Sequence, residues 1–203
     1  VPAYTTNTVD DHVHILTDSG ASIVIVSTRK LAERVVAAAR QLGHIRAVIT
    51  MEAIGADPPA NGAGPAILGW TDVIERGRAL PDTVRANIAT LRRTDTACLI
   101  YTSGTGGRPK GVMLSHGALL RNCAGAWHLF TDGDLLEVDH EVFLSFLPLS
   151  PSYEHTAGLV FPLTIGAEIY YAEGVDKLVA NMAEARPTIM TAVPRLYESM
   201  HQR

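Results

Sequence analysis

Residues 101–112 read YTSGTGGRPKGV, which places three hydroxyls, four glycines, an arginine and a lysine in one short stretch. An apolar run, Ala97 to Tyr101, leads in, and a second, Val112 to Leu114, leads out. Gly104, Gly106, Gly107 and Gly111 lack Cβ, so the backbone there can take positive φ and admit a ligand close to its N–H groups. Consecutive N–H groups in such a turn converge on an anion. Thr102, Ser103 and Thr105 add hydroxyls that donate to phosphate oxygens or ligate a metal. Lys110 adds a mobile positive charge, Arg108 a second one, and Pro109 stiffens the exit by fixing one φ. The chemistry these residues suit is the holding of a polyphosphate. The bland alternative, a flexible glycine-rich hairpin turn, accounts for neither the hydroxyls nor the lysine.

Two familiar phosphate motifs do not fit. The nucleoside-triphosphatase loop requires G-x-x-x-x-G-K-[ST], but here Pro109 precedes the lysine and Gly111 follows it. The dinucleotide fingerprint G-x-G-x-x-G opens a helix, and here the third glycine is missing after Gly104-Thr105-Gly106.

The stretch resembles the loop [YF]-T-S-G-[ST]-T-G-x-P-K-G of AMP-forming acyl-CoA synthetases, in the adenylate-forming superfamily, with Gly106 where that form has threonine. Three further segments are similar to the long-chain fatty-acid–CoA ligase branch: Val1 to Ser22, Phe146 to Gly158 (FLPLSPSYEHTAG) and Pro187 to Glu198 (PTIMTAVPRLYE). The resemblance implies an α/β fold, a layered αβαβα part of the superfamily's N-terminal domain. Residues 1–203 would be an incomplete N-terminal AMP-binding domain, with the phosphate loop at 101–112, the acyl-site segment at 146–158 and no C-terminal domain. It implies ATP-dependent activation of a long-chain fatty acid through an acyl-adenylate, then transfer to coenzyme A, with Mg2+ as metal. Matched residue by residue, Thr102, Ser103, Gly104, Thr105, Gly106, Gly107 and Lys110 would bind phosphate. Thr102 and Lys110 would be catalytic, and Thr102 would also ligate magnesium. Tyr153 and His155 would line the acyl site, the plain alternative for both being packing at a helix N-terminus. Pro151 stands where long-chain relatives often carry histidine. Arg195 reads better as a helix-end ion pair than as a site residue. The family's adenine and ribose motifs, second magnesium ligand, hinge and late lysine find no match before Arg203. The chain also opens on Val1 without methionine. It is therefore expected to be a fragment that makes no acyl-CoA alone. Two other functions remain open: an adenylate-forming ligase for another carboxylic acid, and a non-catalytic nucleotide-binding module.

Alternating helices and strands must position these groups. Val9 to Asp18 reads as a helix ended by Gly20, and Ala21 to Ser27 as a buried strand. Arg29 to Leu42 is amphipathic, with Gly43 as its expected cap, and Ile45 to Thr50 is the next strand. This β-α-β order predicts parallel pairing. Gly55 to Pro65 reads as an exposed, mobile loop. Thr71 is expected to cap a helix through Gly77, and Pro81 to begin another. After the glycine-rich hairpin, Ser115 should cap a helix from His116 to about Phe130. Its buried face would carry Leu119, Leu120, Cys123, Trp127 and Phe130. Glu141 to Leu147 reads as a strand, and Ser152 to Ile165 as a helix kinked at Pro162. A strand at Glu168 to Tyr171, a helix at Asp176 to Glu184, a strand at Thr188 to Val193 and a helix after Pro194 complete the order. No internal repeat is evident, and the pattern is that of an α/β protein with covered sheets.

The 203 residues are 47% hydrophobic and 19% charged, an ordinary globular balance. The net charge of -4 speaks against nucleic acid, which asks for a basic face. The longest apolar stretch, Ala157 to Ala167, is too short to span a bilayer. With no secretion signal at the start, the expected location is cytoplasmic. A fatty-acid substrate leaves room for peripheral contact at the inner membrane face. Unpaired sheet edges would favour self-association. Cys98 and Cys123 lie in apolar patterns and read as buried, reduced thiols. His12 and His14 fall on different faces of one helix, and no Cys/His spacing suggests structural zinc.

Overall fold

The structure is a computed structural model of the 203-residue chain, and it describes residues 1–54, 64–102, 107–133, 135–136, 140–194, 196 and 198. The chain divides into two compact units: residues 3–91 with 103–111, and residues 92–102 with 112–203.

The first unit opens with α1 (Val9–Ser19). Thr8 and Asp11 form a reciprocal capping box at its start, and Gly20 closes it at φ 64°, a left-handed conformation that suits glycine. Strand β1 (Ile23–Val26), helix α2 (Arg29–Ala39) and strand β2 (Ala47–Thr50) follow. β1 and β2 pair in parallel from Ile23↔Ala47 to Val26↔Thr50, as the β-α-β order predicts. A third strand, β3 (Ala66–Gly69), joins in parallel on the other side of β2, from Ala47↔Ala66. Leu16, Val26, Ala32, Val35, Val36, Ala39 and Val48 form the buried core between the helices and this sheet.

Several expectations for this unit are corrected. Gly43 does not cap α2. The helix ends at Ala39, and Gln41 N and Leu42 N donate to Ala38 O and Ala39 O, a tighter three-residue turn. β1 is not buried throughout: it is a sheet edge, and Ile23 and Ile25 stay exposed while Val26 is buried. β3 carries only the short apolar run Ala66 to Leu68, and it is fixed as a strand where Ala66 N donates to Arg46 O and the register continues along β2. Helix α3 (Trp70–Arg78) starts at Gly69 rather than Thr71. Helix α4 (Val84–Thr90) starts after Thr83, where the Asp82 carboxyl accepts from Val84 N, rather than at Pro81. Gly55 to Ala63 lie outside the described residues.

The second unit begins with β4 (Thr96–Thr102), which pairs with β5 (Lys110–Ser115) in a two-stranded sheet. Ser115 Oγ accepts from Ala118 N and starts α5 (His116–Thr131) where expected. Gly117 N donates to Arg93 O at 2.7 Å, and the approach is so close that a Cβ on Gly117 would sit 2.8 Å from that oxygen. Leu119 and Cys123 are buried, and Trp127 and Phe130 pack against the core beside Phe143 and Phe161. Leu120, expected on that face, is 40% exposed. The Phe161 ring lies 5.7 Å from Phe130 and 6.2 Å from Phe143.

Strand β6 (Val142–Ser145) is the centre of a parallel sheet. It is flanked by β7 (Glu168–Tyr171) and β8 (Ile189–Met190), with α8 (Leu178–Ala185) between those two in sequence. Between β6 and β7 runs a helical segment of three parts: α6 (Ser152–Glu154), a π-helical turn (His155–Val160) and α7 (Phe161–Thr164). The irregularity in this segment is therefore the π turn upstream; Pro162 sits in the first turn of α7, where its missing N–H is harmless. Among the described residues no helix is long and apolar enough to cross a membrane. Both cysteines are free; Cys123 is buried, and burial raises the thiol pKa of half-buried Cys98.

Candidate active site

The phosphate-loop expectation rests on two strands that the structure supplies. β4 delivers Thr102 exposed at its last position, just after buried Ile100 and Tyr101. β5 opens at Lys110, also exposed. Ser103, Gly104, Thr105 and Gly106 lie outside the described residues. Gly107 has φ 131°, a conformation that L side chains rarely adopt, and no atom of the described residues beyond its chain neighbours lies within 4 Å of where a Cβ would sit. The Lys110 ammonium has no hydrogen-bond or ion-pair partner among the described residues. Pro109 O accepts a 2.8 Å hydrogen bond from His14 Nε2, 95 residues earlier in sequence.

The acyl-site segment lies in the second unit with Thr102. Tyr153 is 54% exposed on α6, and its ring is free of the core. His155 opens the π turn half-buried, and its Nδ1 is buried with no hydrogen-bond partner among the described residues. Pro151 stands just before α6 in extended conformation, and its carbonyl accepts from His155 N. Between Tyr153 and His155, Glu154 points the other way and is fully buried. Ser145 Oγ on β6 donates to Glu154 Oε1 at 2.6 Å, and Thr191 Oγ1, just past β8, donates to Oε2. Burial of a carboxyl is costly unless its oxygens are satisfied, and here both are.

Thr102, Tyr153 and His155 thus fall in one unit, and Gly107 and Lys110 in the other. Arg195 lies outside the described residues. Two residues escape sequence reasoning. Glu154 carries a visible signal, a charged residue between two expected site residues, with a hydroxyl closing the apolar β6 run and another just past β8 as its partners. His14 carries none, because nothing in the spacing of Pro109 and α1 announces their contact. No group of three or more His, Cys, Asp or Glu side chains gathers around a metal among the described residues. Exposed Thr102 offers one oxygen of the kind magnesium takes.

The chain is 31% identical to the long-chain-fatty-acid–CoA ligase ACSBG2 of Homo sapiens, over 100% of this chain and 30% of that protein. It is 29% identical to the same-named ligase of Xenopus laevis, over 100% of this chain and 27% of that protein. The chain therefore spans under a third of the relatives it matches. Among solved structures, a benzoate CoA ligase from Burkholderia xenovorans LB400 superposes with a TM-score of 0.70 at 28% identity, covering 96% of this chain and 35% of that one. The adenylation domain of a carboxylate reductase from Mycobacterium chelonae superposes at 0.75 and 24% identity, covering 100% and 32%, and it supports the fold alone. The AMP-binding enzyme family model matches residues 1–203, the whole chain. On that match, and on a glycine-rich, lysine-bearing loop carried between paired strands, the chain belongs to the AMP-binding enzyme family.

Proposed function

We propose that this chain is part of an ATP-dependent long-chain fatty-acid–CoA ligase, and that residues 1–203 supply part of its N-terminal AMP-binding domain. The observation that carries the reading is the 101–112 stretch, with exposed Thr102 closing one strand, exposed Lys110 opening its partner, and Gly107 in a positive-φ conformation. The names of relatives matched along the whole chain support the long-chain acid.

In this reading a fatty-acid carboxylate attacks the α-phosphorus of ATP. The α-phosphorus–oxygen bond to the departing pyrophosphate breaks, leaving acyl-adenylate. The thiol of coenzyme A then displaces AMP and forms the thioester. The carboxylate, with a pKa near that of a glutamate side chain (about 4.3), is already ionised at neutral pH. The barrier lies in bringing an anion onto a polyanion, so the protein's task is positioning and charge neutralisation. Lys110 would hold the outer phosphates with its ammonium, and Ser103 and Thr105 with their hydroxyls. Gly104, Gly106 and Gly107 would let backbone N–H groups approach. Mg2+ at the Thr102 hydroxyl would offset phosphate charge. Tyr153 and His155 would line the acyl site. A well-aimed donor in such a site is worth about 3–4 kcal/mol in the transition state.

A second reading, adenylation of a different carboxylic acid, is favoured by the 28% identity to the benzoate CoA ligase. Acid-dependent exchange of labelled pyrophosphate into ATP by the full-length gene product separates the two. Exchange driven by palmitate-like acids selects the first, and exchange driven only by aryl or short acids selects the second. No exchange with any acid refutes both. Lys110→Ala should lower the exchange rate by about 100-fold or more, in line with loss of a transition-state donor.

A further inference from the structure

His14 lies on α1, outside every segment to which the proposed chemistry assigns a role, yet its side chain reaches the loop exit 95 residues away. Its Nε2 is 2.8 Å from Pro109 O. A carbonyl only accepts, so Nε2 carries the proton and donates. Proline has no N–H, which leaves this carbonyl as the residue's sole backbone hydrogen-bonding group.

That carbonyl belongs to the peptide joining Pro109 to Lys110. The peptide is planar and trans, so its N–H points opposite to its C=O. Holding the Pro109 oxygen toward α1 therefore holds the Lys110 N–H away from α1, and fixes the plane from which the Lys110 side chain departs. The anchor is tied into its unit at several points. α1 starts at the Thr8–Asp11 capping box, buries Ile15 and Leu16, and has its Leu16 carbonyl bonded by His44 Nε2 at 3.0 Å. His12, two residues away, is buried, whereas His14 is half-buried and turned to the loop. All of these residues and Pro109 lie in the first compact unit.

We propose that His14 is a positioning residue for the phosphate loop, its Nε2–H holding the Pro109 carbonyl so that the Lys110 peptide is set before nucleotide arrives. The inference rests on the assignment of Lys110 to phosphate binding and adds the group that orients it.

The test uses three variants of the full-length gene product: His14→Phe, which keeps volume but has no donor, His14→Gln, which keeps a donor, and Lys110→Ala. The probes are Mg·ATP in steady-state kinetics and amide hydrogen exchange of residues 110–111 without ligand. Loss of one hydrogen bond of ordinary strength corresponds to a factor of about five. His14→Phe should raise KM for ATP about fivefold, leave KM for the acid unchanged and speed exchange at residues 110–111, with little change in melting temperature. His14→Gln should return both readouts to within about twofold of wild type. If Lys110→Ala cripples the enzyme while His14→Phe alters neither ATP KM nor exchange, the inference is wrong and the site assignment stands. A fall in both KM values' apparent affinities that tracks lost folded protein, with no rescue by glutamine, also overturns it. Should Lys110→Ala leave ATP KM and turnover untouched, the site assignment itself fails and takes this inference with it.

Discussion

Gly158→Ala is the substitution whose outcome the structure specifies most sharply. In an ordinary helix this change stabilises by about 1 kcal/mol, because alanine restricts the unfolded backbone. Here Gly158 lies in the π turn beneath Glu154. A Cβ built on it would fall 2.5 Å from the Glu154 carboxyl carbon, 3.1 Å from Oε2 and closer still to Oε1. The carboxyl cannot retreat into solvent, since Glu154 is fully buried. Nor can it shift freely, because Ser145 and Thr191 hold its two oxygens from two different strand ends. Overpacking costs about 2 kcal/mol, and each hydroxyl bond lost as the carboxyl is displaced costs about 1 kcal/mol. Against the propensity gain, the net loss is about 3 kcal/mol, or a melting temperature lower by about 6–12 °C for a chain of this size. Urea denaturation followed by circular dichroism measures it. Because the cost arises at one contact, Glu154→Ala should relieve it, and the double mutant should be about 2 kcal/mol more stable than additivity predicts. A Gly158→Ala protein as stable as wild type, or a strictly additive double mutant, refutes the packing argument.

Other outcomes follow from the same structure. Thr8→Ala removes the Oγ1 that accepts from Asp11 N and should cost about 1 kcal/mol in the urea titration, while Thr8→Asn should cost less. Burial, partly opposed by Asp11 and assisted by Arg34, lowers the His12 pKa below its ordinary 6.5. The unfolded chain then binds the proton more readily than the folded one, so His12's contribution is intact above that value and is lost as pH falls toward the lower folded value. Urea midpoints measured from about pH 8 to pH 5 should decline below about 6.5, and His12→Gln should flatten that part of the curve.

Local signals made much of the fold readable. Thr8 and Gly20 bracket α1, Ser115 starts α5, and the apolar runs of β2 and β6 mark strands that end in the middle of their sheets. What depended on neighbours was not readable. β3 is a strand because β2 offers it an edge, and α2 stops three residues early because its last turn tightens where Gly43 was expected to act. The run before Tyr101 and the lysine after Pro109 identified the candidate site by composition alone. His14, bonded at Pro109, and Glu154, held by Ser145 and Thr191, meet their partners only in three dimensions. Their contacts cross 95 residues in one case and 37 in the other.

The π turn at His155–Val160 also bears on how the chain can change over generations. Such a turn accommodates one residue more than an α-helix of equal span. Dropping a single residue there would tighten the coil to regular α-helix while β6 and β7 keep their places on either side. Homologues that differ in length along this segment should therefore align with a single-position gap inside 155–160, and a gap within β6 would not be tolerated, since it would turn either Phe143 out of the aromatic cluster or Ser145 away from Glu154.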